Sequence, residues 1–137
     1  MCVFCQIVAG EIPAYKIYEN DDVLAFLDIS QVTRGHTLVI PKKHVANLYE
    51  LTPEVAKPVF EALPKVAQAL KDTLHPIGLN LINNNDKPLQ SVFHLHFHLI
   101  PRFESDGLYL GLDKPIPDVD HDAYSALQNS IVSHMQK

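Results

Sequence analysis

The segment from Val92 to Ile100 constrains the fold more than any other part of this chain. Apolar and imidazole side chains alternate along it: Val92-Phe93-His94-Leu95-His96-Phe97-His98-Leu99-Ile100. Successive side chains of a β-strand point to opposite faces of the sheet. The segment therefore predicts a strand with two different faces. One carries His94, His96 and His98, and the face that packs into the core carries Phe93, Leu95, Phe97 and Leu99.

A lone histidine on a strand is usually structural, but three on one face indicate a functional site. Two chemistries suit such a face. One is metal binding, because imidazole is a common zinc ligand. The other is nucleophilic catalysis, in which one imidazole attacks and its neighbours set its tautomer and neutralise the developing charge. The preceding segment offers uncharged hydrogen-bond donors at Asn83, Gln90 and Ser91. Because such donors can hold phosphate oxygens, they favour phosphorus chemistry.

The two cysteines, Cys2 and Cys5, form a C-x-x-C pair. A single pair cannot build a framework of several disulfides, so an oxidising compartment is not indicated. Three interpretations remain open from the residues alone: a redox pair, half of a tetrahedral zinc site, or two small apolar core residues. The redox interpretation is the weakest of the three, since no strand precedes the motif.

The remaining patterns predict an antiparallel α+β domain. A short amphipathic helix is expected over residues 1–10, and a long helix is expected to begin after Thr52, which provides a capping hydroxyl. Pro58 and Pro64 are expected to bend or break that helix. Strands are expected over residues 16–19, 23–30, 36–40, 78–82 and 92–100, and a terminal helix is expected from Tyr124, Leu127, Ile131 and Met135. We expect one domain over residues 1–137, with a five-stranded sheet, one long helix and short terminal helices.

Composition excludes several classes of protein. The chain has 137 residues, 47% of them hydrophobic, and a formal net charge of −5. The apolar content is too high for a disordered chain, and the acidic balance argues against binding a nucleic-acid backbone. No apolar run approaches the roughly 20 residues that span a bilayer, and the first residues lack the basic start of a signal peptide. The sequence thus predicts a cytoplasmic protein with neither a nucleic acid nor a membrane as partner.

The segment His94-Leu95-His96-Phe97-His98-Leu99-Ile100 resembles the defining motif of the histidine triad (HIT) family of nucleotide hydrolases and transferases. The resemblance extends over residues 2–103, and its bacterial branch is the most similar. Residues 104–137 form an unmatched, variable tail. The matching stretches are Cys5 to Pro13, Leu24 to Ser30, Gly35 to His44, and Pro101-Arg102.

The resemblance implies a role for each matching residue. His96 would be the nucleophile that attacks an α-phosphate and forms a covalent nucleotidyl-histidine. His98 would stabilise the charge on the phosphate, and His94 would orient the nucleophile. Asn83, Gln90 and Ser91 match positions that contact the phosphate and leaving group, with Ser91 counted among the catalytic residues. Asp28 matches the acid that accepts both ribose hydroxyls. The base slot, which could equally be ordinary core, matches Phe4, Ile7, Phe26 and Ile29.

The resemblance also implies a zinc ion, a purine nucleotide substrate and a homodimer. Zinc-bearing relatives complete the C-x-x-C pair with two histidines, which places a structural zinc site at Cys2, Cys5, His44 and His94. Asp86 and Leu89 stand where many relatives have glycine, which predicts an altered phosphate loop. The expected activity is hydrolysis of a nucleoside monophosphate derivative, of the phosphoramidase or dinucleoside polyphosphate hydrolase type. The alternatives are transfer of the nucleotidyl group to a small acceptor, and nucleotide binding with negligible turnover.

Overall fold

The computed structural model of the chain describes residues 2–109, 112 and 120–135. It divides into two compact units, Met1–Gly107 and Leu108–Lys137. The first unit contains the sheet and two helices, and the second contains a single described helix. One domain over residues 1–137 remains a prediction.

Five antiparallel strands form the sheet of the first unit. They are β1 (Lys16–Glu19), β2 (Val23–Leu27), β3 (Thr37–Pro41), β4 (Gly78–Ile82) and β5 (Phe97–Arg102). Their spatial order is β1-β2-β3-β5-β4, so β5 inserts between β3 and β4. The predicted α+β class and the five-stranded antiparallel sheet are confirmed.

Two helices cover opposite faces of this sheet. Helix α1 (Val3–Val8) is capped by Cys2, and helix α2 (Pro53–Leu74) is capped by Thr52, whose hydroxyl accepts the Val55 N–H at 3.4 Å. Residues on β2 alternate between the two layers: Val23 and Ala25 belong to the core under α2, and Leu24 and Phe26 to the core under α1. Both faces of β2 and β3 are buried, so these two strands are nearly continuous apolar runs.

Helix α2 runs without interruption past both of its internal prolines, so the predicted break is wrong. Each proline costs about 3 kcal/mol in a helix interior. The helix buries six apolar side chains against the sheet, and the five valines and leucines among them are each worth roughly 1.5–3 kcal/mol; the six are Val55, Val59, Ala62, Leu63, Val66 and Leu70. Packing of this stripe therefore outweighs the local preference of Pro58 and Pro64.

Strand β5 begins at Phe97, five residues later than predicted, so His94 and His96 precede the strand. Its ladder with β3 ends at the Val39–Phe97 pair because Pro41 has no N–H to donate. The Leu95 N–H donates instead to the Val45 carbonyl at 2.8 Å. Leu95, Phe97 and Leu99 lie in the core under α2 as predicted, but Phe93 is 38% exposed, which corrects its predicted place in the core.

The second unit contains helix α3 (His121–His134), where a terminal helix is predicted. Its N-terminus is capped by Asp120, whose carboxylate accepts the Ala123 N–H at 2.7 Å. Tyr124, Leu127 and Ile131 are each more than half exposed. Among the described helices, α1, α2 and α3 included, none is both long and apolar enough to cross a membrane.

Candidate active site and metal centre

The three triad histidines lie on the α1 side of the sheet, and two of them contact the ring of Phe4. The Phe4 ring is 5.8 Å from the His94 ring and 5.1 Å from the His96 ring, and the His96 and His98 rings are 5.0 Å apart. His94 and His96 are buried, and His98 is partly exposed. The histidines thus share one side of the molecule even though only His98 belongs to a strand.

The tautomer of His96 follows from its single backbone contact. Its Nδ1 lies 2.7 Å from the His94 carbonyl, which can only accept, so Nδ1 carries the hydrogen. Burial lowers the pKa of His96, which favours the neutral ring. A neutral ring protonated on Nδ1 has its lone pair on Nε2. That lone pair is available to attack an electrophile.

A second histidine and a carboxylate hold His98. His36, which is 3% exposed, places its Nε2 2.8 Å from His98 Nδ1, and its Nε2 is 3.6 Å from an Asp28 carboxylate oxygen. The Val32 N–H donates to His36 Nδ1 at 3.3 Å, so the His36 hydrogen sits on Nε2 and is donated to His98. His98 then carries its own hydrogen on Nε2, as a donor. Burial, reinforced by His96 and His36, lowers the pKa of His98 to about 4.

His36 is the residue of this site that the sequence did not reveal. It lies immediately before β3, within the matching stretch Gly35 to His44, but the resemblance gives it no role. The signal that could have found it is register: Leu38 pairs with His98, so a histidine two residues earlier lies on the same face, one pair further along.

An apolar cavity of about 250 Å³ lies between α1 and the sheet, and Phe4 in its lining packs against the His94 and His96 rings. The four predicted base-slot residues and Asp28 all line it, together with Val3, Ile12, Pro13, Ala14, Leu27 and Leu38. Phe4, Ile7 and Phe26 are also members of the core under α1, while Ile29 is 86% exposed. The core and slot interpretations therefore both apply to the first three residues.

The loop before the triad is held by internal hydrogen bonds. Gln90, 2% exposed, donates from its amide to the carbonyls of Ala46 at 2.8 Å and Val92 at 3.0 Å. Its amide oxygen accepts the Asp86 N–H at 2.8 Å and the Asn47 side-chain amide at 3.2 Å. Both amide hydrogens are thus engaged within the protein. A phosphate contact by the Gln90 side chain would require breaking one of these bonds.

The other predicted donors occupy different places in the loop. Asn83 donates to the His96 carbonyl at 3.1 Å, so it holds the backbone of the candidate nucleophile. Ser91 is exposed and lines an open cavity of about 340 Å³ with Cys2, Val3, Val92 and Phe93. Asp86 adopts φ +64°, a conformation natural for glycine, and its carboxylate accepts from Asn47 at 3.1 Å.

The four predicted metal ligands converge beside α1. The Sγ atoms of Cys2 and Cys5 and one nitrogen each of His44 and His94 lie within 4.8 Å of one another. His94 Nδ1 is 3.5 Å from Cys2 Sγ and 3.2 Å from His44 Nδ1, and His44 Nδ1 is 3.3 Å from Cys5 Sγ. This is the donor set of a closed, structural zinc site.

The far side of the His94 ring supports the same fit. Its Nε2 lies 2.8 Å from the Pro41 carbonyl, which can only accept, so the hydrogen is on Nε2 and Nδ1 presents a lone pair to the two thiols. Burial lowers the pKa of His94, which favours the neutral ring that can bind a metal. A histidine fixed by a carbonyl on its other nitrogen is the usual arrangement around a metal. The residues present therefore fit zinc.

Comparison with known proteins identifies the family. The model of the HIT domain matches residues 9–105. The chain belongs to the HIT family. Protein hit from Bacillus subtilis is 61% identical over 108 residues, which cover 77% of this chain and 74% of that relative.

Two solved structures of HIT proteins are informative about ligands. A Zn-bound histidine triad family protein from Mycobacterium smegmatis is 38% identical, covers 97% of both chains and superposes with a TM-score of 0.74. A histidine triad nucleotide-binding protein from Candida albicans is 33% identical, with a TM-score of 0.85, over 97% of this chain and 96% of that one. This chain thus has the fold and motif of the nucleotide-binding histidine triad proteins.

Proposed function

We propose that this HIT protein hydrolyses a purine nucleoside monophosphate derivative at its α-phosphate through a covalent intermediate on His96. The observation that carries the proposal is the His96 tautomer, which leaves Nε2 with an available lone pair. In the first step Nε2 forms a bond to phosphorus while the bond to the leaving group breaks. In the second step water attacks phosphorus, the bond to Nε2 breaks, and the nucleoside monophosphate is released.

The surrounding groups supply charge stabilisation and position. His98 presents a neutral N–H donor to the phosphate oxygens, held by the His36 hydrogen bond. Asn83 fixes the backbone of His96, and Ser91 lines the cavity on which we place the leaving group. Gln90 acts through the loop rather than on the phosphate, because its amide is used internally.

The nucleoside is proposed to lie in the apolar cavity under α1. The base packs between Phe4, Ile7, Phe26 and Ile29, whose side chains line that cavity. Asp28 lies at the same cavity, and its carboxylate can accept hydrogen bonds from two ribose hydroxyls. Support also comes from the histidine triad nucleotide-binding protein of Candida albicans, which has the same fold.

Zinc is proposed to bind at Cys2, Cys5, His44 and His94 and to play a structural role. Four protein ligands leave no position open for a substrate, so the ion would be structural. It would join α1 to the segment that carries the proposed nucleophile. The Zn-bound relative from Mycobacterium smegmatis supports this assignment.

The protein is further proposed to form a homodimer through the edge strand β4. Leu79 and Leu81 are 39% and 50% exposed on that edge. The opposite edge, β1, is protected by Lys16, Glu19 and a register shift between Lys16 and Tyr18.

The decisive experiment measures nucleotide release and trapping. The protein is mixed with adenosine 5′-phosphoramidate, lysine-linked AMP and diadenosine polyphosphates, and AMP is followed with time. We expect turnover of at least one substrate, with radiolabelled nucleotide bound to protein after an acid quench. His96→Ala should lower the rate at least about 10³-fold, because it removes the nucleophile.

His75→Ala is the matched control, since His75 is an exposed histidine at the end of α2. It should leave the rate unchanged. Tight AMP binding without any turnover would instead support a binding module, and release of labelled product only when a sugar phosphate is added would support a transferase.

A further inference from the structure

A second cluster of metal-ligating side chains lies at the candidate active site, apart from the two cysteines. One carboxylate oxygen of Asp28 and one nitrogen each of His36 and His98 lie within 4.8 Å of one another. Two histidines and one carboxylate on one side of an ion form a common site for divalent transition metals, with positions left open for water or a ligand. Nothing in the proposed hydrolysis requires this set to hold a metal.

The distances are close to those of ligands on one ion. Two ligand atoms of a tetrahedral zinc ion lie roughly 3.3 Å apart, given bonds of about 2.0–2.1 Å. Asp28 Oδ2 is 3.6 Å from His36 Nε2, longer than a good hydrogen bond, and His36 Nε2 is 2.8 Å from His98 Nδ1. Coordination would thus require His36 Nε2 and His98 Nδ1 to move apart by about half an ångström.

The site is accessible and its ligands have the right charge. The side chain of Asp28 is 20% exposed, so an ion can enter from solvent past the carboxylate, while His36 lies behind it at 4%. Burial lowers the pKa of both His36 and His98, and a neutral imidazole is the form that binds metal. The hydrogen between the two rings must leave that space. It can move to Nδ1, which then donates to the Ser30 backbone carbonyl and no longer accepts the Val32 N–H.

We propose that Asp28, His36 and His98 form a second, inhibitory site for a divalent transition-metal ion such as Zn²⁺ or Co²⁺. The inhibitory effect rests on the proposed function, because the same ion would occupy the carboxylate assigned to the ribose and the imidazole assigned to the phosphate. Metal and nucleotide therefore weaken each other's binding by the same factor. Mg²⁺ does not bind here, since it prefers oxygen ligands and retains its water.

Cobalt reports on this site directly. The protein is first saturated with one equivalent of Zn²⁺ and then titrated with Co²⁺, followed by visible absorption and calorimetry. We expect one Co²⁺ per chain, with ligand-field bands but without the sulfur-to-cobalt band of thiolate ligation. Asp28→Asn and His36→Gln should each raise the Kd at least about tenfold, and saturating AMP should raise the Kd for the wild-type protein.

His75→Gln is the control for binding at an exposed histidine, and circular dichroism verifies the folding of each variant. Absence of Co²⁺ binding, a thiolate band, or an unchanged Kd in both ligand variants would overturn the second site. The two proposals fail separately. Nucleotide turnover without Co²⁺ binding refutes only the metal site, and Co²⁺ binding without turnover refutes only the hydrolase.

Discussion

At the scale of single residues, the site depends on which nitrogen of each imidazole carries a hydrogen. Backbone carbonyls set the choice for two rings: that of His94 for His96, and that of Pro41 for His94. The lone pair of His96 is thereby left on Nε2, where the proposed nucleophile needs it, and that of His94 on Nδ1, where the proposed metal ligand needs it. The third ring, His98, is set by His36 through a side-chain contact.

Replacing His36 should impair catalysis by releasing His98. His36→Asn removes the donor to His98 Nδ1, so the His98 hydrogen is no longer confined to Nε2. We expect kcat to fall about ten- to hundredfold, with a smaller change in KM, because the phosphate charge develops mainly in the transition state. Steady-state kinetics with a phosphoramidate measures both constants.

His75→Asn is the control for the His36 variant and should leave kcat unchanged. A rise in KM alone, with kcat unchanged, would contradict the positioning role of His36. It would indicate instead that His36 only shapes the ground-state site.

The buried Gln90 side chain should contribute more to the free energy of unfolding than an exposed glutamine does. Gln90→Leu removes four hydrogen bonds and leaves buried carbonyl and N–H groups without their partner. We expect a loss of about 2–4 kcal/mol in the free energy of unfolding, measured with urea. Gln68→Leu is the matched control: its exposed amide contacts only Asp72 among the hydrogen bonds of the described residues, so less than about 0.5 kcal/mol should be lost. Equal losses in the two variants would refute this role.

At the scale of elements, α1 and the segment after β3 connect the metal centre to the rest of the site. Helix α1 provides both cysteines and two walls of the base cavity. The segment after β3 contains His44, and its next residues hold the loop before the triad: Ala46 and Asn47 bond Gln90, and the Leu48 N–H donates to Asn85 at 2.7 Å. Metal binding should thus order both the cavity and the loop.

Removal of the metal should therefore weaken both stability and nucleotide binding. After dialysis against a chelator we expect the Tm to fall by at least about 5 °C and the Kd for AMP to rise, because α1 loses its attachment. Calorimetry and metal analysis measure these changes. Cys5→Ser should start from the lower Tm and show no further fall with chelator. A wild-type Tm that is unaffected by chelator would contradict the structural role of zinc.

Elements differ in how well the sequence predicts them. The alternation around the triad correctly places Leu95, Phe97 and Leu99 in the core, because periodicity reports burial. It does not locate the start of β5, which depends on Pro41 of a distant strand. The C-x-x-C pair indicates zinc only with help from the family resemblance, since His44 and His94 are distant in sequence. His36 was missed for the same reason: its partner, His98, comes from another strand. Pairing between strands is the information that local patterns lack.

At the scale of the whole molecule, one face of the sheet forms the main core and the other carries the candidate sites. The face under α2 is core, and the face under α1 carries the histidines, the cavity and the candidate zinc ligands. Strand β4 lies at one edge of this sheet. Its Leu79 lines a surface cavity shared with α2, together with Pro64, Ala67, Gln68, Lys71, Pro76, Ile77 and Gly78.

A charge on β4 should prevent the proposed homodimer. We expect Leu81→Lys to shift the protein from dimer to monomer in size-exclusion chromatography with light scattering, because the edge would no longer exclude water from an apolar face. Ile17→Lys places the same charge on the opposite edge, where Ile17 is 41% exposed, and should leave the dimer intact. A monomeric wild-type protein, or dissociation caused only by Ile17→Lys, would refute the β4 interface.

Helix α1 also determines which sequence changes this family member can tolerate. Cys2 and Cys5, and likewise Phe4 and Ile7, are spaced three residues apart, so each pair lies along one side of the helix. Inserting one residue within this turn would rotate everything beyond it by about 100°. A single insertion or deletion would therefore separate the cysteines from their histidines and the aromatic ring from the cavity together. A substitution on the outer side of this short helix would leave both sites intact, whereas a change in its length would disturb both.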